Sequence, residues 1–327
     1  MKKIAYILLL VLGMTLTSCM VVFDPGFDES PVIYLEAFPG RDADKVMFKI
    51  APGYSRSNTS MMLPFDPEII FEVNGSVIPV ECIDMEEGYY VADYAPVPGD
   101  KLSVSVNSEG FTGIFARTCI PEPFPAGKID YRQVQSGLDD YDEVLYVTFI
   151  GADPGTHYGI YFLKETVYET QSGPVPRTYT YAGSIYPETE FGIAPTNLEA
   201  NLLYFDGVSY WAWDGKQLGR QSCTLSLKPG SSLYETSGEV NDYDDYGNLV
   251  STVPFSSRTK INLMTMSDEF YKYQVAQSLA ADYGGLMGFI APSSYCYSNI
   301  DNGYGAFAGV TIVETDWITK EFIENNR

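Results

Sequence analysis

Histidine is almost missing from this chain: His157 is the only one. A Ser–His–Asp or Cys–His centre needs an imidazole as its base, so one position alone can fill that role. His157 follows Asp153-Pro154-Gly155-Thr156, a turn entering a strand, and reads as an exposed or edge histidine. Cysteine is also sparse, with five in the chain and no CxxC pair. Together with the single histidine, that argues against a metal site. Basic side chains are few: 20 Lys and Arg face 43 Asp and Glu, for a formal net charge of −23. Such a surface repels a phosphate backbone, which excludes nucleic acid as a partner. It repels a bare anionic membrane as well, and solubility is its plainest use.

What is present begins with an export pattern. Lys2 and Lys3 are followed by the apolar run Ile4 to Leu16, softened at Gly13 and Thr15, and then by Leu16-Thr17-Ser18-Cys19. The run is shorter than the roughly 20 residues that span a bilayer, so residues 1–18 read as a removed targeting segment. The pattern resembles a bacterial lipoprotein signal, which implies that Cys19 carries a diacylglycerol on its sulfur and an acyl group on its new amino terminus. Each buried methylene contributes about 0.8 kcal/mol, so three chains hold far more firmly than one. Residues 19–30, with Pro25 and Gly26 and no periodicity, form a tether.

Aromatic residues make up 14% of the chain, including 26 tyrosines, a balance that favours strands. Short alternating runs recur from Pro31: Val32 to Ala37, Lys45 to Ile50, Glu68 to Val73, Val77 to Val80, Tyr89 to Ala92 and Leu102 to Val106. Asn74-Gly75 is a strong two-residue hairpin signal, and Pro98-Gly99-Asp100 turns the chain before Leu102. Residues 31–120 therefore predict an Ig-like or transthyretin-like β-sandwich. Pro121, Pro123 and Pro125 then form a stiff connector, and the chain length suits two domains. Residues 121–327 predict a larger β-rich domain, with strands such as Val144 to Ile150 and Tyr158 to Leu163. One sizeable helix near 267–283 interrupts them. Ser267 caps it, Asp268 and Glu269 suit its first turn, and Tyr271, Val275 and Leu279 recur at four-residue steps. Beyond Cys19, the cysteines are Cys82, Cys119, Cys223 and Cys296, which can pair in three ways. Pairing within each domain joins Cys82 to Cys119 and Cys223 to Cys296, while buried free thiols are the other reading.

After the helix come Pro292-Ser293-Ser294-Tyr295-Cys296-Tyr297-Ser298-Asn299-Ile300 and Asn302-Gly303-Tyr304-Gly305-Ala306-Phe307-Ala308-Gly309. This resembles the closing segment of a Bacteroidota lipoprotein family, domain of unknown function 4249, where a Pro, a Ser-Asn-Ile stretch and a Gly-x-Gly-x-Phe-x-Gly pattern follow such a helix. The order of early strands, hairpin and helix agrees over nearly the whole mature chain, and the final segment is the specific part. The resemblance implies an outer-membrane lipoprotein, of a kind often encoded beside TonB-dependent receptors, with no catalytic residues to carry over. It thus implies a non-catalytic accessory to nutrient capture or import, partnered by the membrane through its anchor and by a TonB-dependent receptor, without a cofactor. A surface hydrolase of glycans or peptides using a carboxylate pair stays open beside it, as does a structural or adhesive subunit. The periplasmic and extracellular faces both stay open, because Met20-Val21-Val22-Phe23 lacks the acidic run of many surface-exported Bacteroidota lipoproteins.

The densest aromatic stretch is Tyr210-Trp211-Ala212-Trp213, just after Tyr204-Phe205. Trp211 and Trp213 are two apart and share one strand face. Exposed, Tyr210, Trp211 and Trp213 would make a platform for stacking on a sugar or a protein partner; buried, they are core. Asp242-Tyr243-Asp244-Asp245-Tyr246-Gly247 has the outline of a calcium loop, but Tyr246 and Val253 stand where oxygen ligands are required. Asp139-Asp140-Tyr141-Asp142-Glu143 lacks the glycine turn. Both read as solvated loops, so titration with millimolar calcium in a calorimeter should give no binding heat.

Overall fold

The computed structural model describes residues 31–53, 64–135, 141–150, 153–170, 172–185, 201–205, 207–217, 223–228, 236–243, 249–284 and 297–318. They are mainly β, with a sandwich, further sheets and one long helix. Eight strands come first: β1 (Val32–Ala37), β2 (Val46–Gly53), β3 (Glu68–Val73), β4 (Ser76–Ile78), β5 (Glu81–Asp84), β6 (Tyr89–Ala92), β7 (Lys101–Asn107) and β8 (Ile114–Cys119). Period-2 alternation decides which side is buried in β1, β2, β7 and β8, while the short strand β5 is exposed throughout. In β8, Ile114, Ala116 and Thr118 turn inward while Phe115, Arg117 and Cys119 turn out. The inward sets of two sheets interlock around Ile33, Leu35, Phe48, Phe71, Val104 and Val106. Each such side chain contributes roughly 1.5–3 kcal/mol on full burial.

The predicted hairpin is present. Asn74 (φ 53°) and Gly75 (φ 83°) take the two left-handed positions joining β3 to β4. The same Asn74 reaches across to the Pro98-Gly99-Asp100 turn, donating to Asp100 Oδ1 at 2.8 Å and accepting from the Lys101 amide at 3.0 Å. Asp100 also accepts from the Tyr94 hydroxyl and the Val97 amide. Burial alone would raise its carboxyl, but these donors outweigh burial and hold it below the usual carboxylate range.

Ten strands follow: β9 (Ala126–Gln135), β10 (Tyr141–Phe149), β11 (His157–Thr170), β12 (Gly173–Tyr181), β13 (Ser184–Ile185), β14 (Asn201–Phe205), β15 (Val208–Asp214), β16 (Cys223–Lys228), β17 (Thr236–Tyr243) and β18 (Leu249–Met266). Next come helix α1 (Asp268–Gly284), β19 (Tyr304–Phe307) and β20 (Val310–Glu314). Long strands β11 and β18 run antiparallel through the centre of a seven-stranded sheet. At one end β15 and β20 flank them, and at the other β12 and β17 take over. A four-stranded sheet, β13-β16-β10-β9, contributes Tyr131, Leu145, Val147 and Leu227 to a core shared with Tyr158, Ile160, Phe162 and Trp213 of the larger sheet. Helix α1 packs on the other face through Phe270 and Tyr273. Its start follows the capping chemistry read from the sequence: the Phe270 amide donates to Ser267 Oγ at 3.2 Å. Among the described residues no helix is long and apolar enough to cross a membrane.

The glycine-rich segment does something that strand patterns alone do not reveal. Residues 304–307, read in the sequence as part of the 121–327 unit, leave it to become a parallel strand beside β1 in the sandwich, with Leu35 opposite Gly305. The sandwich sheets are therefore β19-β1-β2-β6-β5 and β4-β3-β7-β8. Gly305 has φ 112°, and a Cβ there would lie 1.9 Å from the Leu35 carbonyl oxygen. One at Gly309 would lie 2.1 Å from the Cys119 carbonyl oxygen. Asn299 completes the clasp, donating to the Phe307 carbonyl at 2.8 Å and accepting from its amide at 2.9 Å.

Two expectations about cysteines meet different outcomes. Cys82 and Cys119 are free and exposed, so the pairing between them is corrected. Cys82 sits on β5 at one edge of its sheet, whereas Cys119 sits on β8, which adjoins β19 at the opposite edge of the sandwich. Cys296 and the side chain of Cys223 lie outside the described residues, and so does the pairing of Cys223 with Cys296. Gly305→Ala should destabilise the protein by about 3 kcal/mol or more, combining left-handed strain with a backbone collision. Chemical denaturation should show it as a fall in midpoint.

Candidate functional site

The loop after β1 leans onto the seven-stranded sheet and α1, and a cleft forms at that junction. Phe38 packs edge-on against Phe205 at 4.8 Å and against Phe270 at 5.3 Å. Phe205 and Phe270 meet at 5.2 Å with their planes at 75°. Beside this aromatic cluster, β11 supplies Tyr161, β15 supplies Val208 and Tyr210, β18 supplies Met264, and β20 supplies Val310 and Ile312. Arg41 and Asp42 complete the lining of a cleft of about 180 Å³. The Arg41 guanidinium lies 5.3 Å from the Phe205 ring centre, a cation–π distance.

Polar atoms in and beside the cleft are buried without partners. Tyr210 is 1% exposed, and its hydroxyl has no hydrogen-bond partner among the described residues. Burial, with Tyr271 as a secondary influence, pushes its phenol well above the ordinary tyrosine range, so it stays a donor. Tyr161 is pushed up to about 12, chiefly by burial and then by Glu314, against the opposing charge of Arg41. Asn262 lies between Tyr161 and Glu314 in the ladder; it is 0% exposed, and neither end of its amide has a partner among the described residues. Buried polar groups are nearly always satisfied, and others without a partner among the described residues, such as Thr259 and Thr265, lie along the same strand β18.

His157 defines a second polar group. It is buried, not exposed as its sequence context indicates, because it opens β11 between β15 and β18 and the first turn of α1 covers it. Its ring stacks on Tyr271 at 4.0 Å with planes 4° apart. Its Nε2 is 3.1 Å from Asp268 Oδ1, and Asp268 pairs with Lys272 at 2.5 Å. Burial would raise the Asp268 carboxyl, but the hydrogen bonds from Lys272 and His157 together hold it below its ordinary value. This arrangement docks the helix onto the sheet.

Of the two readings of Tyr210, Trp211 and Trp213, exposed platform or core, the structure gives the core one. β15 is an interior strand between β14 and β11, with a packed layer on each side. Trp213 is 0% exposed in the inter-sheet core. Trp211 is half-buried against that core and donates its indole N–H to the Gly183 carbonyl at 3.1 Å. Tyr210 faces the opposite way, into the cleft layer. Arg41, Tyr161 and Asn262 carry no local signal in the sequence, since only the tertiary fold brings them together. Cys19 and the Asp244 to Gly247 part of the acidic loop lie outside the described residues, while Asp242 and Tyr243 belong to β17. Of the other acidic patch, Asp139 and Asp140 lie outside them too, and Tyr141 to Glu143 open β10. Among the described residues no three His, Cys, Asp or Glu side chains converge as metal ligands.

No protein-family model matches the chain, and no curated protein matches it. A solved structure titled biofilm associated protein, BSP domain, is similar at 8% identity and a TM-score of 0.15, covering 87% of this chain. The chain spans 58% of that one's length. A likeness this slight carries no argument about fold or function.

His157→Ala should cost about 2 kcal/mol, since it removes a stacked ring and a hydrogen bond to a charged group. The depressed Asp268 carboxyl gives the sign of the pH dependence. Its contribution is present above the ordinary carboxylate range and is lost as pH falls through its lowered folded-state value. Melting temperatures of wild type and Asp268→Asn should therefore differ at neutral pH and converge in acid.

Proposed function

We propose that the protein is a non-catalytic, lipid-anchored component of a bacterial outer membrane that assists a TonB-dependent receptor in nutrient capture or import. The observation that carries this reading is Leu16-Thr17-Ser18-Cys19 at the end of a short apolar run behind Lys2 and Lys3. Acylation at Cys19 would hold the body at the membrane through the tether of residues 19–30. The strong net negative charge of −23 would keep that body off anionic lipid. The receptor partnership is supported by the resemblance of residues 292–309 to the closing segment of the Bacteroidota lipoproteins.

A non-catalytic role is supported by the chain's one imidazole. His157 is stacked under Tyr271 and bonded to Asp268, so its visible work is to seat a helix. The junction cleft suits binding better than chemistry, with apolar walls and a few inward-facing polar groups.

Cys19→Ala should abolish incorporation of labelled palmitate and leave a longer, unprocessed chain. If the variant is processed and labelled like wild type, the anchor reading fails. A native pull-down from solubilised membranes should recover a stoichiometric barrel protein. Recovery of the chain alone would remove the receptor partnership, and protease shaving of whole cells assigns the face.

A further inference from the structure

We propose that the end of the seven-stranded sheet built from β12, β11 and β18 binds, on one face, an extended glycan in which uronates are separated by neutral sugars. The strand registers place a row of rings on that face. Tyr181 stands beside Phe162, Tyr179 beside Lys164, and Tyr168 between Val175 and Phe255; cross-strand partners share one side of a sheet. The Phe162 and Tyr181 rings stack at 5.2 Å, with Tyr179 5.9 Å beyond Tyr181. Tyr168 and Phe255 form a second group at 6.1 Å. Phe162 and Tyr168 mark the two ends of the row on β11, about 20 Å apart at the ordinary strand rise. Phe162 is buried, but Tyr179 is 47% exposed, and Tyr168, Tyr181 and Phe255 keep part of their surface open. A pyranose can lay its apolar C–H face on such a ring while its hydroxyls meet the polar side chains between.

The charge of the ligand follows from where the acid goes. Across Gly173–Tyr181, Phe162–Tyr168 and Phe255–Ile261 the only Asp or Glu is Glu165. Alternation turns it to the opposite face, where it pairs with Arg258 at 2.6 Å. Lys164 and Arg177, on the ring side, therefore have no carboxylate partner among the described residues, in a chain with 43 acidic side chains. The Arg177 guanidinium lies 5.9 Å from the Tyr168 ring centre, and burial alone lowers the Lys164 ammonium. A phosphate backbone or a polymer of uronates carries a charge on every unit and meets the repulsion of a −23 chain. Two cations set among rings match carboxylates spaced by uncharged units instead. The inference goes beyond the anchor reading and does not rest on it, because every residue involved lies in the folded body.

The probe is a hyaluronan hexasaccharide, in which glucuronate alternates with N-acetylglucosamine, added to the full chain in detergent micelles. Saturation-transfer NMR against empty micelles should show saturable binding that weakens with added salt. Chitohexaose, which has the N-acetylglucosamine rings without the carboxylates, should bind more weakly. Arg177→Gln should weaken the hyaluronan fragment about 10-fold, and Tyr179→Ala about 3- to 10-fold. Tyr204→Ala, on β14 and 63% exposed, should leave its affinity unchanged. Arg177 and Tyr179 are exposed, so both variants should melt with wild type. The proposal is overturned by no saturable signal, by equal binding of the two oligosaccharides, or by equal affinity in Arg177→Gln or Tyr179→Ala. A matching loss in Tyr204→Ala, or tighter binding of a thymidine hexanucleotide, overturns it as well. So does a lowered melting temperature in either site variant, because that side chain would then serve the fold. Each of these failures leaves the palmitate-labelling result at Cys19 untouched, so the two readings fall separately.

Discussion

The architecture depends on one close approach of backbone to backbone. Residues 303–309 pass so near β1 and β8 that carbonyl oxygens of Leu35 and Cys119 occupy the space a side chain would need. Only glycine fits at Gly305 and Gly309, and Gly305 also needs its left-handed conformation. The Gly-x-Gly-x-Phe-x-Gly spacing has a physical meaning in these terms. Glycine supplies clearance, and Phe307 fills the sandwich core from the intervening position, in contact with Phe48 and Phe71.

That approach also joins the two β regions. Immediately after β19 the chain enters β20, which pairs with β18 in the seven-stranded sheet. The Ala308 amide donates to the Ala37 carbonyl, the Val310 amide to that of Pro39, and the Ser267 amide to that of Gly309. Three distant stretches of chain therefore meet at one point: the loop after β1, the cap of α1 and the closing segment. The cleft lies beside that knot, and its walls come from all of them. Its shape follows from the clasp.

Much of the fold was legible locally. The strands Val32–Ala37, Glu68–Val73 and Tyr89–Ala92 follow directly from alternation, Asn74-Gly75 from turn chemistry, and the start of α1 from its cap. What stayed hidden was non-local or hydrophilic. The first half of β18 carries Ser251, Thr252, Ser256 and Ser257, with Pro254 between Val253 and Phe255, and these interrupt its apolar pattern. The parallel pairing of β19 with β1 leaves no periodic trace. The site was less legible than the fold. Tyr210 stood out in the aromatic run, but it shares the cleft with Arg41 and Tyr161 only through tertiary contact. His157 misled because a turn preceding a strand gives no warning that a helix more than a hundred residues later will cover it.

The late arrival of β19 bears on how the chain folds as it leaves the ribosome. Eight sandwich strands emerge first, yet β1 keeps one flank unpaired until residue 304 follows. A copy cut short before that point presents a bare strand edge on an otherwise assembled core, the geometry from which separate copies recruit one another. Full-length synthesis is thus what protects the first-made part from its own kind.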